Sequence, residues 1–430
     1  MKFALLQPHW DFAGSSYFGC REPHFPFELL FARQQLEAAG HECLLLDGHL
    51  EAMTAEEAGR RVRGFDPDFT VVTTAPTYLF WRCPQPELRL PRQWLSACRT
   101  RAVRVAIGPH GSATPRAAGE KLDCDVVLRG EPEQVLPRLA GGAWAEIPGC
   151  CWRDAAGWHL DARTAEADLA GLGALDFRDY PLPRREHRHH VFSGAGRGAE
   201  LEFSRGCPWG CDFCNKTLFR NRLRHRRAED VLAEAEALAR AGFDYVYFID
   251  EIFGCGKQRA VLLEAFAGLP LAIGLQTRID LWDEESLAAL GRAHCVSLEC
   301  GIESITPAGR AAWNKGCRLS TERIAELLLA ARRHIPWVQA NLIADDEEDL
   351  AATEAWRREL IARGVWVSRP VPAYPFPGSP LYARLFGPPD DLAWERAHGH
   401  YLALNDRRGY YSDVQDSAPA PLSRLENSAG

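Results

Sequence analysis

Three cysteines stand close together at Cys207, Cys211 and Cys214, in the run Phe203-Ser204-Arg205-Gly206-Cys207-Pro208-Trp209-Gly210-Cys211-Asp212-Phe213-Cys214. The spacing is Cys-x3-Cys-x2-Cys. Gly206 and Gly210 allow a loop tight enough to aim three thiolates at one point. Thiolates are soft ligands that suit iron–sulfur clusters and zinc. Closed structural zinc wants four ligands, and no fourth Cys or His lies in the run. Three thiolates on a four-iron cluster would leave one iron open to a small molecule. Zinc with a distant fourth ligand and three merely packed thiols are the other readings of the same residues.

The loop needs a scaffold, and the chain around it alternates strand and helix patterns. Strands are expected at Glu200–Ser204, Tyr245–Ile249, Leu271–Gln276, Val296–Glu299, Val338–Ile343 and Val365–Pro370, with helices such as Ala228–Ala241, Asp283–Arg292 and Thr321–Arg333 between them. Six βα units are too few for an eight-stranded barrel but fit a partial (β/α)6 barrel. Strand-end residues of such a sheet point into its mouth. Asp250, Glu251, Glu299 and Glu303 fall there, and Arg278 could pair with a carboxylate.

An earlier βα series fills the first 140 residues or so. Strands are expected at Lys2–Gln7, His41–Leu46, Phe69–Thr74, Arg104–Ile107 and Val126–Leu128, with helices at Phe27–Ala39 and Ala55–Gly64. The fold class is therefore α/β, with a Rossmann-like parallel sheet before the partial barrel. The expected divisions are 1–145, a linker with a small β-excursion over 146–197, the barrel over 198–385, and an extension over 386–430 whose polar end reads as frayed. Arg184–His190 is locally basic and reads as a solvated loop.

The 430 residues carry 50 Lys and Arg against 58 Asp and Glu, a net charge of −8. This gives no electrostatic footprint for nucleic acid. No run of about 18 apolar residues suggests a membrane span. The start, Met1–Trp10, reads as a first strand and not a signal peptide, so the cytoplasm is the expected location. With 14 cysteines in so long a chain, a metal or redox site is a better expectation than a disulfide scaffold. Cys255, Cys295, Cys300 and Cys317 are scattered and read as packed thiols.

Cys207, Cys211 and Cys214, with the aromatic Phe213 before the third, resemble the signature of the radical S-adenosylmethionine (SAM) superfamily. The resemblance implies a [4Fe–4S] cluster whose open iron takes the amino and carboxylate groups of SAM. It also implies reductive cleavage to methionine and a 5′-deoxyadenosyl radical, with a flavodoxin- or ferredoxin-type electron donor. Further matches follow in order. Phe248-Ile249-Asp250-Glu251 stands where the family meets the SAM amino group, and Gln276-Thr277-Arg278 where a polar residue meets its carboxylate. Cys300-Gly301-Ile302-Glu303-Ser304 resembles the Gly-x-Glu-Ser segment, and Asn341 lies on the adenine-contacting strand. Ala344, followed by Asp345-Asp346-Glu347-Glu348, departs from the usual ending. Tyr374–Tyr382 resembles the strand-six tail of cobalamin-type members.

The loops Gly108–Ser112 and Arg129–Glu133 resemble those of the cobalamin-binding-type domain. Asp47-Gly48-His49 begins like a cobalt-ligating loop but lacks its later glycine, which leaves cobalamin open. Tyr17–His24 and Thr74–Pro84 combine aromatic, charged and turn residues, as would suit a polyhydroxylated or cationic ligand or a domain-packing interface. They resemble a subgroup of aminoglycoside pathways, that of paromamine deoxygenation. This implies dehydration of an aminosugar 1,2-diol without cobalamin, and an NADPH-dependent reductase acting on the product. Such a reaction needs one acid/base carboxylate, for which Glu251, Glu299 and Asp280 are the candidates. The alternatives are cobalamin-dependent C-methylation and, from another class, a non-catalytic iron–sulfur sensor.

Overall fold

The computed structural model describes all residues except 11–23, 78–87, 178–179, 181–196, 257, 344–349, 371 and 409–430. Two sheets carry the chemistry-bearing loops. In the first, five parallel strands form around a buried apolar run: β1 (Lys2–Gln7), β2 (Glu42–Asp47), β3 (Phe69–Thr73), β4 (Val103–Ile107) and β5 (Val126–Leu128). Their order is β2-β1-β3-β4-β5, so the order reverses between β1 and β3. Ligands of doubly wound sheets bind at such a switch point, outside the carboxyl ends of the strands.

The expected β-excursion is present, and it extends this sheet: β6 (Cys150–Asp154) pairs antiparallel with β5, and β7 (Gly157–His159) with β6. A helix over Phe27–Ala38 and others over Ala55–Phe65 and Arg89–Ala97 cover the two faces, which hold separate apolar clusters.

The second sheet has six strands: β8 (Gly198–Leu201), β11 (Tyr245–Phe248), β12 (Ala272–Thr277), β13 (Cys295–Glu303), β14 (Trp337–Leu342) and β15 (Trp366–Val367). Between β8 and β11 lies a two-stranded antiparallel ribbon, β9 (Ser204–Arg205) with β10 (Arg224–His225). The six strands are parallel and stand in chain order, the topology of consecutive βα units. Phe248 packs against Phe266 of the helix Gln258–Phe266, so its face of β11 meets the helices. Tyr245 and Tyr247 point to the opposite face by the period-two rule. On that face the register sets Gln276 beside Glu299 and Glu299 beside Gln339.

The C-terminal extension begins with a helix that its weak periodicity did not announce, while its polar end, expected to fray, lies outside the described residues. Ala393–Arg408 is a helix whose Ala393, Trp394, Ala397 and Tyr401 bury against Trp10, Leu90, Tyr374 and Tyr382. This apolar stripe is interleaved with charged residues and histidines, which hides its period in the sequence. Arg184–His190 lies outside the described residues, as does Ala344–Glu348. No described helix is long and apolar enough to cross a membrane.

Candidate active site at the cysteine loop

The cysteine loop leaves β9 through Gly206, whose φ of 90° is a conformation that side-chain-bearing residues avoid. A methyl group there would sit 2.2 Å from the Arg222 carbonyl oxygen, so glycine is a steric requirement. Hydrogen bonds fix the rest of the loop from several directions. Cys207 N–H donates to the Arg220 carbonyl at 3.0 Å, Asp212 N–H to Trp313 at 3.0 Å, and Cys214 N–H to Cys211 at 3.0 Å. Asn314 donates to the Gly210 carbonyl at 2.8 Å, and Arg384 to Asp212 at 2.8 Å. Phe213 meets Trp313 edge to face at 5.9 Å.

Burial pushes the Cys207 thiol up to about 11 and the Cys211 thiol up to about 12, and raises that of Cys214. Cys207 and Cys211 both feel the charge of Cys214, so the three lie within electrostatic reach of one another. Among the described residues, no three His, Cys, Asp or Glu side chains converge closely enough to hold a single metal ion. In donor chemistry, three thiolates match a four-iron cluster with one open iron and are one ligand short of closed structural zinc. Lys216 and Lys315 place positive charge beside the loop, one on each side.

Around the loop, the anticipated residues fall into two groups. In the first, Glu303 receives Lys315 Nζ at 2.8 Å, with both side chains largely buried. Glu303 lies at a register shift in β13 and has φ 67°, a strained conformation for a non-glycine residue. Gly301 leaves room for this pair: an added methyl would stand 2.6 Å from Glu303 Oε1 and 3.3 Å from Lys315 Nζ. Arg278 forks onto Asp280 at 2.7 and 3.0 Å, donates to the Lys315 carbonyl at 2.6 Å, and stacks over Trp209 at 4.3 Å. Burial works against ionised Asp280, but Arg278 and Lys315 hold its carboxyl below the usual range. Glu299 accepts from Tyr247 at 2.7 Å. Gln276 is half-buried beside Glu299, and Asn341 accepts from Gln339 at 2.8 Å. Ser304 follows Glu303, half-buried beside Gly309.

The second group is engaged in holding the loop. Asp250 accepts from Phe203 N–H at 2.9 Å and from the Ser204 hydroxyl, and burial pushes its carboxyl up to about 7. Glu251 accepts from Gly206 N–H at 2.6 Å and Arg220 at 2.7 Å. Burial works against its ionised form, but Arg220 and Lys216 hold it down at about 2. Lys315, Arg220 and Lys216 were missed by the sequence reading. Their only signal was their nearness in sequence to the cysteine run or to Glu303.

The first sheet is different at its strand ends. Gln7 accepts from Thr73 at 2.7 Å, and Asp47 accepts from Leu50 N–H and Tyr180. A methyl group on Gly48 would stand 2.0 Å from the buried Trp94 ring, and one on Gly111 2.5 Å from Val127. Trp394 lies 4.6 Å from the His110 ring and donates to Thr114 at 3.2 Å. Among the described residues at this edge, Trp94 packs on Gly48, Val127 on Gly111 and Trp394 on His110. Of the segments Tyr17–His24 and Thr74–Pro84, residues 17–23 and 78–84 lie outside the described residues.

Residues 201–356 match the model of the radical SAM superfamily, a span that takes in the cysteine loop and strands β9 to β14. This part of the chain is a radical SAM domain, and the superfamily's [4Fe–4S] cluster and SAM are its cofactors. The chain is 23% identical over 334 residues to the uncharacterized methyltransferase PH0819 of Pyrococcus horikoshii, covering 71% of this chain and 66% of that one. It is 28% identical over 362 residues to the hopanoid C-3 methylase of Methylococcus capsulatus, covering 78% of this chain and 64% of that one. The chain thus spans just under two thirds of these curated relatives. In fold it is similar to the radical SAM methyltransferase TsrM of Kitasatospora setae, solved with cobalamin and a [4Fe–4S] cluster. That likeness has a TM-score of 0.66 at 18% identity and covers 99% of this chain and 83% of that one.

Proposed function

We propose that the chain is a radical SAM enzyme acting at a carbon centre of a small molecule, methyl transfer from SAM being the reaction its relatives support best. The observation that carries the SAM assignment is the buried Glu303–Lys315 pair set beside the clamped cysteine loop. Two curated relatives are named as a methyltransferase and a methylase, and the methyltransferase TsrM shares the fold along nearly the whole chain.

Cys207, Cys211 and Cys214 would hold the [4Fe–4S] cluster, which when bound would supply the electron for reductive SAM cleavage. The surrounding residues do the binding and the shielding. Glu303 and Lys315 offer one carboxylate and one ammonium, groups complementary to the amine and carboxylate of SAM. Trp209 and Phe213 are the aromatic residues of the loop itself, while Gln276 and Asn341 line one side of the sheet. Glu299, hydrogen-bonded to Tyr247, is our candidate for the carboxylate that holds a proton near substrate. Asp280 and Glu251 are each tied into ion pairs, which suits positioning more than proton transfer. The reductant is a flavodoxin- or ferredoxin-type protein, and a reducing cytoplasm suits both the donor and the thiols.

A second reading is 1,2-diol dehydration of an aminosugar without cobalamin. The observation on its side is that Trp94 and Trp394 pack on Gly48 and His110, in two of the loops where a corrinoid would lie. One experiment separates the two. Protein purified anaerobically from cobalamin-supplied cells is assayed for corrin absorption, and its products are weighed by mass spectrometry. Methyl transfer predicts bound corrin and a product heavier by a methyl group in place of hydrogen. A corrin-free protein whose product has lost water would overturn it.

A further inference from the structure

The cysteine loop is anchored to the first sheet by a buried ion-pair relay. Arg220 sits at its centre, with its side chain 1% exposed. Its backbone has φ 59°, and its carbonyl accepts the Cys207 N–H at 3.0 Å. Its guanidinium spans two carboxylates: Nε donates to Glu131 at 2.7 Å and Nη1 to Glu251 at 2.7 Å. Glu251 in turn accepts the Gly206 N–H at 2.6 Å. Glu131 lies in the loop after β5, where it also accepts from Arg224 at 2.8 Å and from Ala167 N–H at 2.6 Å. Arg220 therefore ties the first sheet to the two residues that open the cysteine loop, to Cys207 through its own carbonyl and to Gly206 through Glu251.

The charges around Arg220 are closely balanced. Arg205, Arg220, Arg224 and Lys216 give four cations, and Glu131, Glu133, Glu202 and Glu251 give four anions. Glu28 stands nearby as a fifth carboxyl, pushed up to about 7 by burial. Breaking one partner of a buried pair leaves the other's charge uncompensated. Both Glu251 and Lys216 act electrostatically on Cys207, so the relay's field reaches the loop.

We propose that Arg220 is a positioning residue that docks the cysteine loop onto the first sheet and supplies buried positive charge that sets the cluster's reduction potential. The inference rests on the reading that Cys207, Cys211 and Cys214 hold the cluster. Reduction adds one electron to the cluster, and a nearby buried cation favours the more negative state. Loss of Arg220 should make the cluster harder to reduce. Loss of the Glu131 charge, which removes an anion from the same relay, should make it easier. A purely structural strut predicts no such opposition of sign.

The test uses the full chain, reconstituted anaerobically, as wild type, Arg220→Gln, Arg220→Lys and Glu131→Gln. Iron and sulfide content are measured first, and the midpoint potential is followed by electron paramagnetic resonance during a redox titration. Arg220→Gln is expected to shift the midpoint to more negative potential and Glu131→Gln to more positive potential. Arg220→Lys should stay near wild type. If Arg220→Gln does not fold, the positive shift of Glu131→Gln and the unmoved midpoint of Arg220→Lys carry the test. No shift in Glu131→Gln, or shifts of the same sign in both charge-removing variants, would overturn the proposal. A wild type that takes up no four-iron cluster would instead overturn the cluster assignment beneath it, and the proposal with it.

Discussion

The two parallel sheets end their strands in similar glycine-containing loops, yet they use them in opposite ways. At the first sheet, glycines make room for the protein itself: Trp94 packs on Gly48 and Val127 on Gly111. At the second, glycines make room for charge and for a tight loop. Gly301 admits the Glu303–Lys315 pair, and Gly206 admits the turn that presents Cys207. Charged pairs at the second sheet, Glu303 with Lys315 and Glu251 with Arg220, stand beside the thiols, while apolar rings fill the corresponding loops of the first.

The sharpest break in this comparison comes from the cysteines. Replacing Cys207, Cys211 or Cys214 by Ala should abolish the visible iron–sulfur absorption and all SAM cleavage. Cys150→Ala or Cys151→Ala, in β6 of the first sheet, should leave both in place. Absorption spectra and a SAM-cleavage assay on anaerobic protein check this.

The next effect concerns the charged pair. Glu303→Gln should weaken SAM binding by about tenfold, the worth of one charge-assisted hydrogen bond. Lys315→Ala should weaken it at least as much, because it strands Glu303 as a buried carboxylate. Isothermal titration with SAM measures both.

Trp394→Ala probes the strand-end edge of the first sheet. The ring is 4% exposed, so its loss should cost about 3 kcal/mol in denaturant unfolding while the cluster spectrum stays unchanged. An altered cluster spectrum would show that this edge, as well as the Arg220 relay, is coupled to the cysteine loop.

The smallest effect is a pH dependence. Glu28 is fully buried, accepts from Thr77 at 2.7 Å, and is pushed up by burial from 4.5 to about 7. The fold therefore holds its proton more tightly than the unfolded chain does. That stabilising share is complete below pH 4.5 and is lost as pH rises through about 7. Glu28→Gln should flatten this part of the melting-temperature profile between those values.

Much of the scaffold was legible in the sequence, because buried parallel strands are short apolar runs that stop at glycine, proline or acid. The strand and helix spans of both series fall within a few residues of expectation, and the cysteine run announced itself by spacing. What spacing could not convey were pairings across the fold. Arg220 and Glu131 are 89 positions apart, and nothing local in either residue marks the bond. Lys315 was equally silent, since its value lies in meeting Glu303 across a bulge. Arg278 and Asp280 were both noticed as separate candidates, but only the structure joins them into one fork. The relatives, in turn, support methyl transfer over the dehydration expected from the aromatic loops.

The central claim is that the second sheet holds a four-iron cluster with one iron open to SAM. Electron paramagnetic resonance of the dithionite-reduced, anaerobically reconstituted chain, recorded with and without SAM, tests it most directly. The account predicts a four-iron signal whose line shape changes when SAM is added and which is absent from Cys211→Ala. A signal that SAM leaves unmoved, or one that survives that substitution, would contradict it.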